Sequence, residues 1–288
     1  MNSQVMIEPA RTGSTIEAFN EKLAGTAEQI EWFDQHFYRV EEKFYPSVTT
    51  ILGANPKWHL AGWRGDVGNA EADRIMREAQ ITGGNVHNYL NRMLNGDTVG
   101  YRTKGDTRNI IQVHSQEEYL HLVKLHQMFD ELKPKVLFSE EIVYSKEHDF
   151  AGTVDLLIEV VEGHYNINGA KPLYVPGGIY VADLKTGKSV GPEAGMQTAA
   201  YAHALWEMNG TRITGTMVIH TRSQNQKGIE GLGVKLRIGD EVDEDYENFM
   251  KVYAVWKINP NPAKPKIFQM PDRLSFNTNF IIKNKRIH

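Results

Sequence analysis

Apolar residues recur at helical spacing through residues 15–33, at Ile16, Phe19, Leu23, Ile30 and Phe33, which predicts a helix there. HFYRVE (36–41) reads as a short strand. Ser47 follows Pro46 as an N-cap ahead of a helix beginning VTTIL. Asp66–Gln80 and Gly83–Asn95 read as two further helices and Gln116–Leu132 as another, with loops over Gly96–Gly105 and the polar residues after it. The pattern changes at Pro134. VLFSEEIVY (136–144), FAGTVDLLIEVV (150–161) and IYVADLK (179–185) are rich in β-favouring residues, and the Gly/Pro/Asn-rich residues 162–178 predict a long hairpin loop. A helix from near Pro192 to about Met208 follows, then strands over TGTMVIHTR (214–222) and GVKLRI (233–238), and an amphipathic helix from about Glu241 to Lys257.

The order of elements is helices, three strands, helix, two strands, helix. It predicts a mixed α/β sheet core fronted by a helical lobe. The expected division is a lobe over residues 1–133, a core over 134–258 and an extension over 259–288. No internal repeat or low-complexity tract interrupts this.

Composition narrows the function classes. The chain has 288 residues, 41% apolar and 24% charged, which suits one large domain or a domain with a lobe. It has no cysteine, which excludes disulfides, Cys-ligated zinc and iron–sulfur clusters and is consistent with a cytoplasmic setting. No apolar run is long enough for a membrane span, and MNSQVMIEPARTGST lacks the apolar core of a signal peptide. Net charge is −4, but residues 257–288 carry seven Lys/Arg against Asp272 alone, a tail of +6 that leaves −10 on residues 1–256. A basic tail on an acidic body suits a polyanionic partner, or serves only as a solvated tail.

Three consecutive strands each bring a carboxylate: Glu141, Asp155 and Asp183. In the third, Asp183 and Lys185 are two apart and share a face, while Ala182 and Leu184 take the other. Two carboxylates about 4 Å apart repel by roughly 1 kcal/mol in water and roughly 4 at an effective dielectric of 20, so such a cluster needs compensating cations. Carboxylates without thiolates select Mg²⁺ or Mn²⁺ over zinc. An ion so held activates water and stabilises a leaving oxygen, and an adjacent lysine orients that water and neutralises charge.

The motifs AGTVD (151–155), ADLKTG (182–187), Q-x-x-x-Y (Gln197–Tyr201) and G-x-x-x-H (Gly83–His87), together with FYPSVTTILG and WRGDVGNAEAD, stand in a telling order. This set resembles the RecB-like branch of the PD-(D/E)XK nucleases, and its phage-type exonucleases in particular, over about residues 36–222. The resemblance implies a restriction-endonuclease-like mixed β-sheet core flanked by helices and a Mg²⁺-dependent deoxyribonuclease, with Mn²⁺ able to substitute. It casts Asp155, Asp183 and His87 as metal ligands, with the Leu184 backbone carbonyl a further one. Lys185 becomes the catalytic lysine and Glu141 the earlier acid, with Glu140 adjacent and the choice resting on strand phase. Gln197 and Tyr201, one helical turn apart, would face the site. The implied substrate is linear, end-containing DNA in phage-type recombination, repair or processing, and a single-strand-annealing or recombination protein is a matching partner.

Other readings remain. ADLKTGKS (182–189) nearly spells a phosphate-binding loop with Ala182 in place of the first glycine, which would make the protein a nucleotide hydrolase. That reading needs the strand to stop before Ala182. A non-catalytic DNA-binding protein on the same fold is the third reading. Arg64, Arg74, Arg77, Arg92 and Lys188 are candidate DNA contacts, and Trp58, Trp63 and Tyr89 candidate stacking groups, though Trp63 suits the core better. His114, His121 and His126 lack the spacing of a helical zinc pair and read as surface.

Overall fold

The structure, a computed structural model, describes residues 27–32, 35–105, 107–167, 171–224 and 230–258. Strands β1 (Ala27–Trp32), β2 (Gln35–Val40) and β3 (Lys43–Pro46) form an antiparallel sheet. Helices α1 (Val48–Leu52), α2 (Trp58–Val67) and α3 (Asn69–Leu94) follow. The short parallel pair β4 (Thr98–Gly100) and β5 (Ile110–Gln112) leads into α4 (Gln116–Leu132). Next come β6 (Lys135–Ser145), β7 (Phe150–Val160), the small hairpin β8 (Gly163–Tyr165) and β9 (Leu173–Val175), and β10 (Gly178–Lys185). Helix α5 (Glu193–Asn209), strands β11 (Gly215–Gln224) and β12 (Glu230–Ile238), and α6 (Asp240–Ile258) complete the chain.

The central sheet has the order β12-β11-β10-β7-β6, with β10 and β11 parallel and the other neighbours antiparallel. Both faces are covered, which is why β7 and β10 read as nearly continuous apolar runs. On one face, Val48, Ile51 and Leu52 of α1, Ala200 and Leu205 of α5, and Phe249 and Tyr253 of α6 pack on Val143, Val154, Leu157 and Val181. On the other, Val86 and Leu90 of α3 and Leu122, Leu125 and Met128 of α4 cover Leu156, Ile158, Tyr180, Ala182, Leu184, Met217 and Ile219. Helix α5 lies close to the sheet because its buried surface is mostly small: Ala194, Gly195, Thr198, Ala199, Ala200, Ala202 and Ala204. Among the described residues, no helix is long and apolar enough to cross a membrane.

The mixed α/β core agrees with the pattern of elements, and the first 133 residues depart from it. Ala27–Trp32 is a strand rather than the end of a helix, with Glu28 opposite Arg39 and Ile30 opposite Phe37. Pairing with β2 overrides the helical spacing; residues 15–26 lie outside the described residues. The helices expected at 66–80 and 83–95 are one helix, α3, which runs unbroken through Gly83 and Gly84. A helical glycine costs about 1 kcal/mol relative to alanine, so the pair reads as a break, and tertiary packing overrides it. Two short strands occupy the stretches expected to be loops around residues 98–112, and β8–β9 sits inside the predicted hairpin loop. Ser47 caps α1 as expected, its side chain accepting from the Thr50 amide. Residues 259–288, including the basic tail, lie outside the described residues.

Candidate active site

The site forms where β7 and β10 part. Their pairing ends at Ala182–Leu156. Two residues further along β10, the Leu184 amide donates instead to Asp155 Oδ2 at 2.7 Å. A carboxylate thus satisfies a backbone donor that the ladder has released, and it is held where the strands separate. The cleft is lined by His87, Leu90, Asn91 and Leu94 of α3 and by Ser139, Glu140, Asp155, Leu156 and Leu184 of the sheet.

His87 reaches this point from α3. Its Nε2 lies 3.2 Å from the Leu184 carbonyl, and its Nδ1 lies 3.4 Å from Glu140 Oε1 and 3.6 Å from Asp155 Oδ1. One ligand atom from each of His87, Glu140 and Asp155 falls within 4.8 Å of the others. Glu140 therefore takes the place expected of Glu141. The carboxyl of Glu141 is raised by burial, with no site charge among the causes, so it stands electrostatically apart. Strand phase misled because the phase breaks here. Phe138 and Val143 are five residues apart yet join the same core cluster, whereas strict alternation would put them on opposite faces. The break coincides with Glu140, whose φ of 55° is left-handed.

Asp183 is only 1% exposed, on the Val181 side of β10, as the alternation predicts. Lys185 Nζ donates to its Oδ1 at 2.9 Å and stands 2.8 Å from Oδ2. That second contact is a charge pairing only, and Oδ2 is buried with no hydrogen-bond donor. Lys185 also donates to Gln197 Oε1 at 3.1 Å, and Gln197 Nε2 donates to the Tyr201 hydroxyl at 3.2 Å. Gln197 touches the lysine as expected. Tyr201, 3% exposed, stands one step behind as support. Two motif glycines have steric reasons. A Cβ at Gly152 would lie 2.2 Å from Tyr201 Cε1, and one at Gly83 would lie 3.2 Å from Thr186 Oγ1, where α3 meets the end of β10.

Electrostatics make the cleft acidic and strained. Burial, and then repulsion from Asp183, hold the Asp155 carboxyl well above the usual carboxylate range. Burial opposes charge on His87, but Asp155, Glu140 and Asp183 outweigh it and raise the imidazole to about 9. Lys185 behaves alike: desolvation is overcome by Asp183 and Asp155, its pKa rises, and it stays an ammonium. The donor set of two carboxylates and one imidazole contains no sulfur and fits a hard divalent cation, while the Leu184 carbonyl lies at the opposite ring nitrogen of His87. The imidazole raised to about 9 between Glu140 and Asp155 shows that this point of the cluster favours a positive charge.

The proposed DNA contacts are less concentrated. Arg64 bonds Asp73, Arg74 bonds Glu71 and Glu78, and Arg92 bonds Asp97, so each is paired with an acid close by in sequence. Arg77 and Lys188 are exposed. Tyr89 is buried, with its hydroxyl 3.2 Å from His114 Nδ1, so it is a packing residue and not a stacking platform. Trp63 is half-buried. His121, expected at the surface, is 2% exposed, while His114 and His126 are exposed. The sequence names Glu140 as the alternative to Glu141, and strand phase placed it second for the reason above. It does not single out Tyr38, whose hydroxyl meets Thr153 Oγ1 at 2.9 Å beside the site and which no local pattern marks. The chain matches no family model, and no curated protein matches it.

Proposed function

We propose that the chain is a metal-dependent deoxyribonuclease of restriction-endonuclease-like fold, acting as an exonuclease on linear DNA in recombination, repair or DNA processing of the phage type. The observation that carries the reading is the convergence of His87, Glu140, Asp155, Asp183 and Lys185 where β7 and β10 separate. His87 through Nδ1, Glu140 and Asp155 would hold Mg²⁺ or Mn²⁺, with Asp183 beside them; the Leu184 carbonyl, expected as a further ligand, instead meets Nε2 on the far edge of the ring and orients it. Such an ion supplies Lewis acidity and a more acidic water.

The chain's own groups do the rest. Asp183 and Gln197 fix the Lys185 ammonium with two of its three N–H donors. The third serves to orient a water or meet a phosphate oxygen. The Lys185 ammonium, held beside Asp183 and Asp155, can neutralise charge that develops on a phosphate. Helix α3 closes the cleft from the opposite side through His87.

The phosphate-loop reading requires a strand that stops before Ala182. Strand β10 instead continues to Lys185, with Asp183 and Lys185 paired to Val218 and His220 of β11. Digestion of linear and circular, single- and double-stranded DNA with Mg²⁺ or Mn²⁺ tests the proposal. The expected result is degradation of linear DNA that EDTA abolishes and that Lys185→Ala and Asp183→Ala lose. Wild-type protein inert toward all four substrates, or variants as active as wild type, would overturn it.

A further inference from the structure

The catalytic lysine has an anchored backbone as well as an anchored side chain. Lys185 ends β10, so its carbonyl lies at the limit of the β10–β11 ladder. Thr221 of β11 donates its hydroxyl to that carbonyl at 3.2 Å. The Thr221 hydroxyl oxygen also lies 2.7 Å from Nδ1 of His121, a buried residue of α4. A threonine hydroxyl has one proton; when it goes to the Lys185 carbonyl, His121 is the donor at Nδ1. In that tautomer the bonds run from imidazole to hydroxyl to peptide carbonyl. Lys124, one turn along α4, donates to the Thr221 carbonyl at 2.6 Å and ties the same residue to the helix. From β11, His220 Nε2 lies 2.7 Å from the Gly187 carbonyl, two residues beyond Lys185.

We infer that Thr221 and His121 are positioning residues for Lys185. They fix the peptide that follows it, and so the path of its side chain between Asp183 and Gln197. This rests on the nuclease reading for its catalytic meaning, although the clamp itself is a property of the fold. A threonine and a histidine from different elements, both buried, are otherwise an expensive way to secure one strand end. Packing alone needs only an apolar pair.

Thr221→Val keeps the shape and deletes the hydroxyl, and Thr221→Ser restores it. The first readout requires no nuclease activity: competitive acylation of native protein at one pH, with each lysine quantified by mass spectrometry. Thr221→Val is expected to raise labelling of Lys185 by roughly threefold, because a loosened strand end exposes the amine more often, to leave Lys135 and Lys146 unchanged, and to return to the wild-type value in Thr221→Ser. The second is cleavage, where Thr221→Val is expected to lower kcat by roughly tenfold with KM little changed, because misplacement rather than lost binding is the defect. Unchanged Lys185 labelling in Thr221→Val, or equal increases in the valine and serine variants, overturns the clamp. Altered labelling with an unchanged kcat overturns its catalytic role. A wild-type protein that cleaves nothing refutes the nuclease reading instead, and the labelling still decides the clamp.

Discussion

Substituting Gly152 by alanine sets two well-defined effects against each other. Gly152 is a buried residue of β7, paired with Val143, and glycine inside a strand forfeits about 0.5–1 kcal/mol relative to alanine. On propensity alone, Gly152→Ala stabilises. The new Cβ, however, would stand 2.2 Å from Cε1 of Tyr201 and 2.8 Å from its Cζ and hydroxyl oxygen. Carbon atoms pack best at about 3.5–4.0 Å, so the ring or the strand must move by more than about 1 Å. Neither is free to do so: Tyr201 is 3% exposed within the main cluster, and its hydroxyl accepts from Gln197. Overpacking of this kind costs typically about 1–3 kcal/mol, and a contact this short belongs at the upper end. The expected net loss is about 2 kcal/mol, roughly 3 °C in Tm for a chain of this size. Because Tyr201 supports Gln197 and Gln197 holds Lys185, cleavage should fall as well. Urea and thermal unfolding of Gly152→Ala, Tyr201→Leu and the double variant measure the coupling. Leucine lacks the atoms that clash, so the alanine should cost less in that background, by about 1 kcal/mol or more. Gly152→Ala as stable as wild type, or equally costly in both backgrounds, would refute the steric argument.

Three further outcomes follow from the site. Glu140→Gln should cut metal-dependent cleavage by roughly tenfold or more, while Glu141→Gln stays close to wild type; the reverse order, read from initial rates across a Mg²⁺ titration, would restore the strand-phase assignment. Asp155→Asn should abolish cleavage yet stabilise the metal-free protein by about 1 kcal/mol at neutral pH, measured by urea unfolding. The sign follows from its raised carboxyl: the folded state disfavours the charge, so this group's contribution falls as pH rises from the unfolded value through the folded one, and asparagine removes that penalty while Oδ1 still accepts from the Leu184 amide. Metal binding should release a proton below pH 9, since the imidazole of His87 is held to about 9 and must be neutral to coordinate. Affinity should then rise with pH up to that point, and calorimetry at pH 7.5 in buffers of different ionisation enthalpy should show about one proton released; no release in wild type, or equal release in His87→Ala, would exclude the ring as a ligand.

What the sequence made legible follows from where each signal originates. Strands β7 and β10 are buried on both faces, so their apolar runs report a global fact locally, and Asp183 and Lys185 fell on one face as alternation requires. Gln197 and Tyr201 came out in contact because helical spacing over one turn is rigid. Strand β1 and the unbroken α3 were not legible, since each depends on partners distant in sequence: β2 for the one, and for the other the α4 and sheet residues that pack on Val86 and Leu90.

Glu140 shows why this limit falls hardest at the site itself. A periodic reading assumes an unbroken ladder, yet the Asp155 carboxylate can meet His87 only because β7 has let go of β10. A non-glycine residue at a φ of 55° costs on the order of 1 kcal/mol, and a fold keeps that strain only where its surroundings enforce it. Here the attractive neighbour is the His87 ring, toward which the kink turns the Glu140 carboxyl despite the nearby Asp155 carboxylate. Relaxing Glu140 to ordinary strand geometry would restore the alternation and take that carboxyl out of the cluster. The residue that spoils the period is thus the one whose position the site most needs.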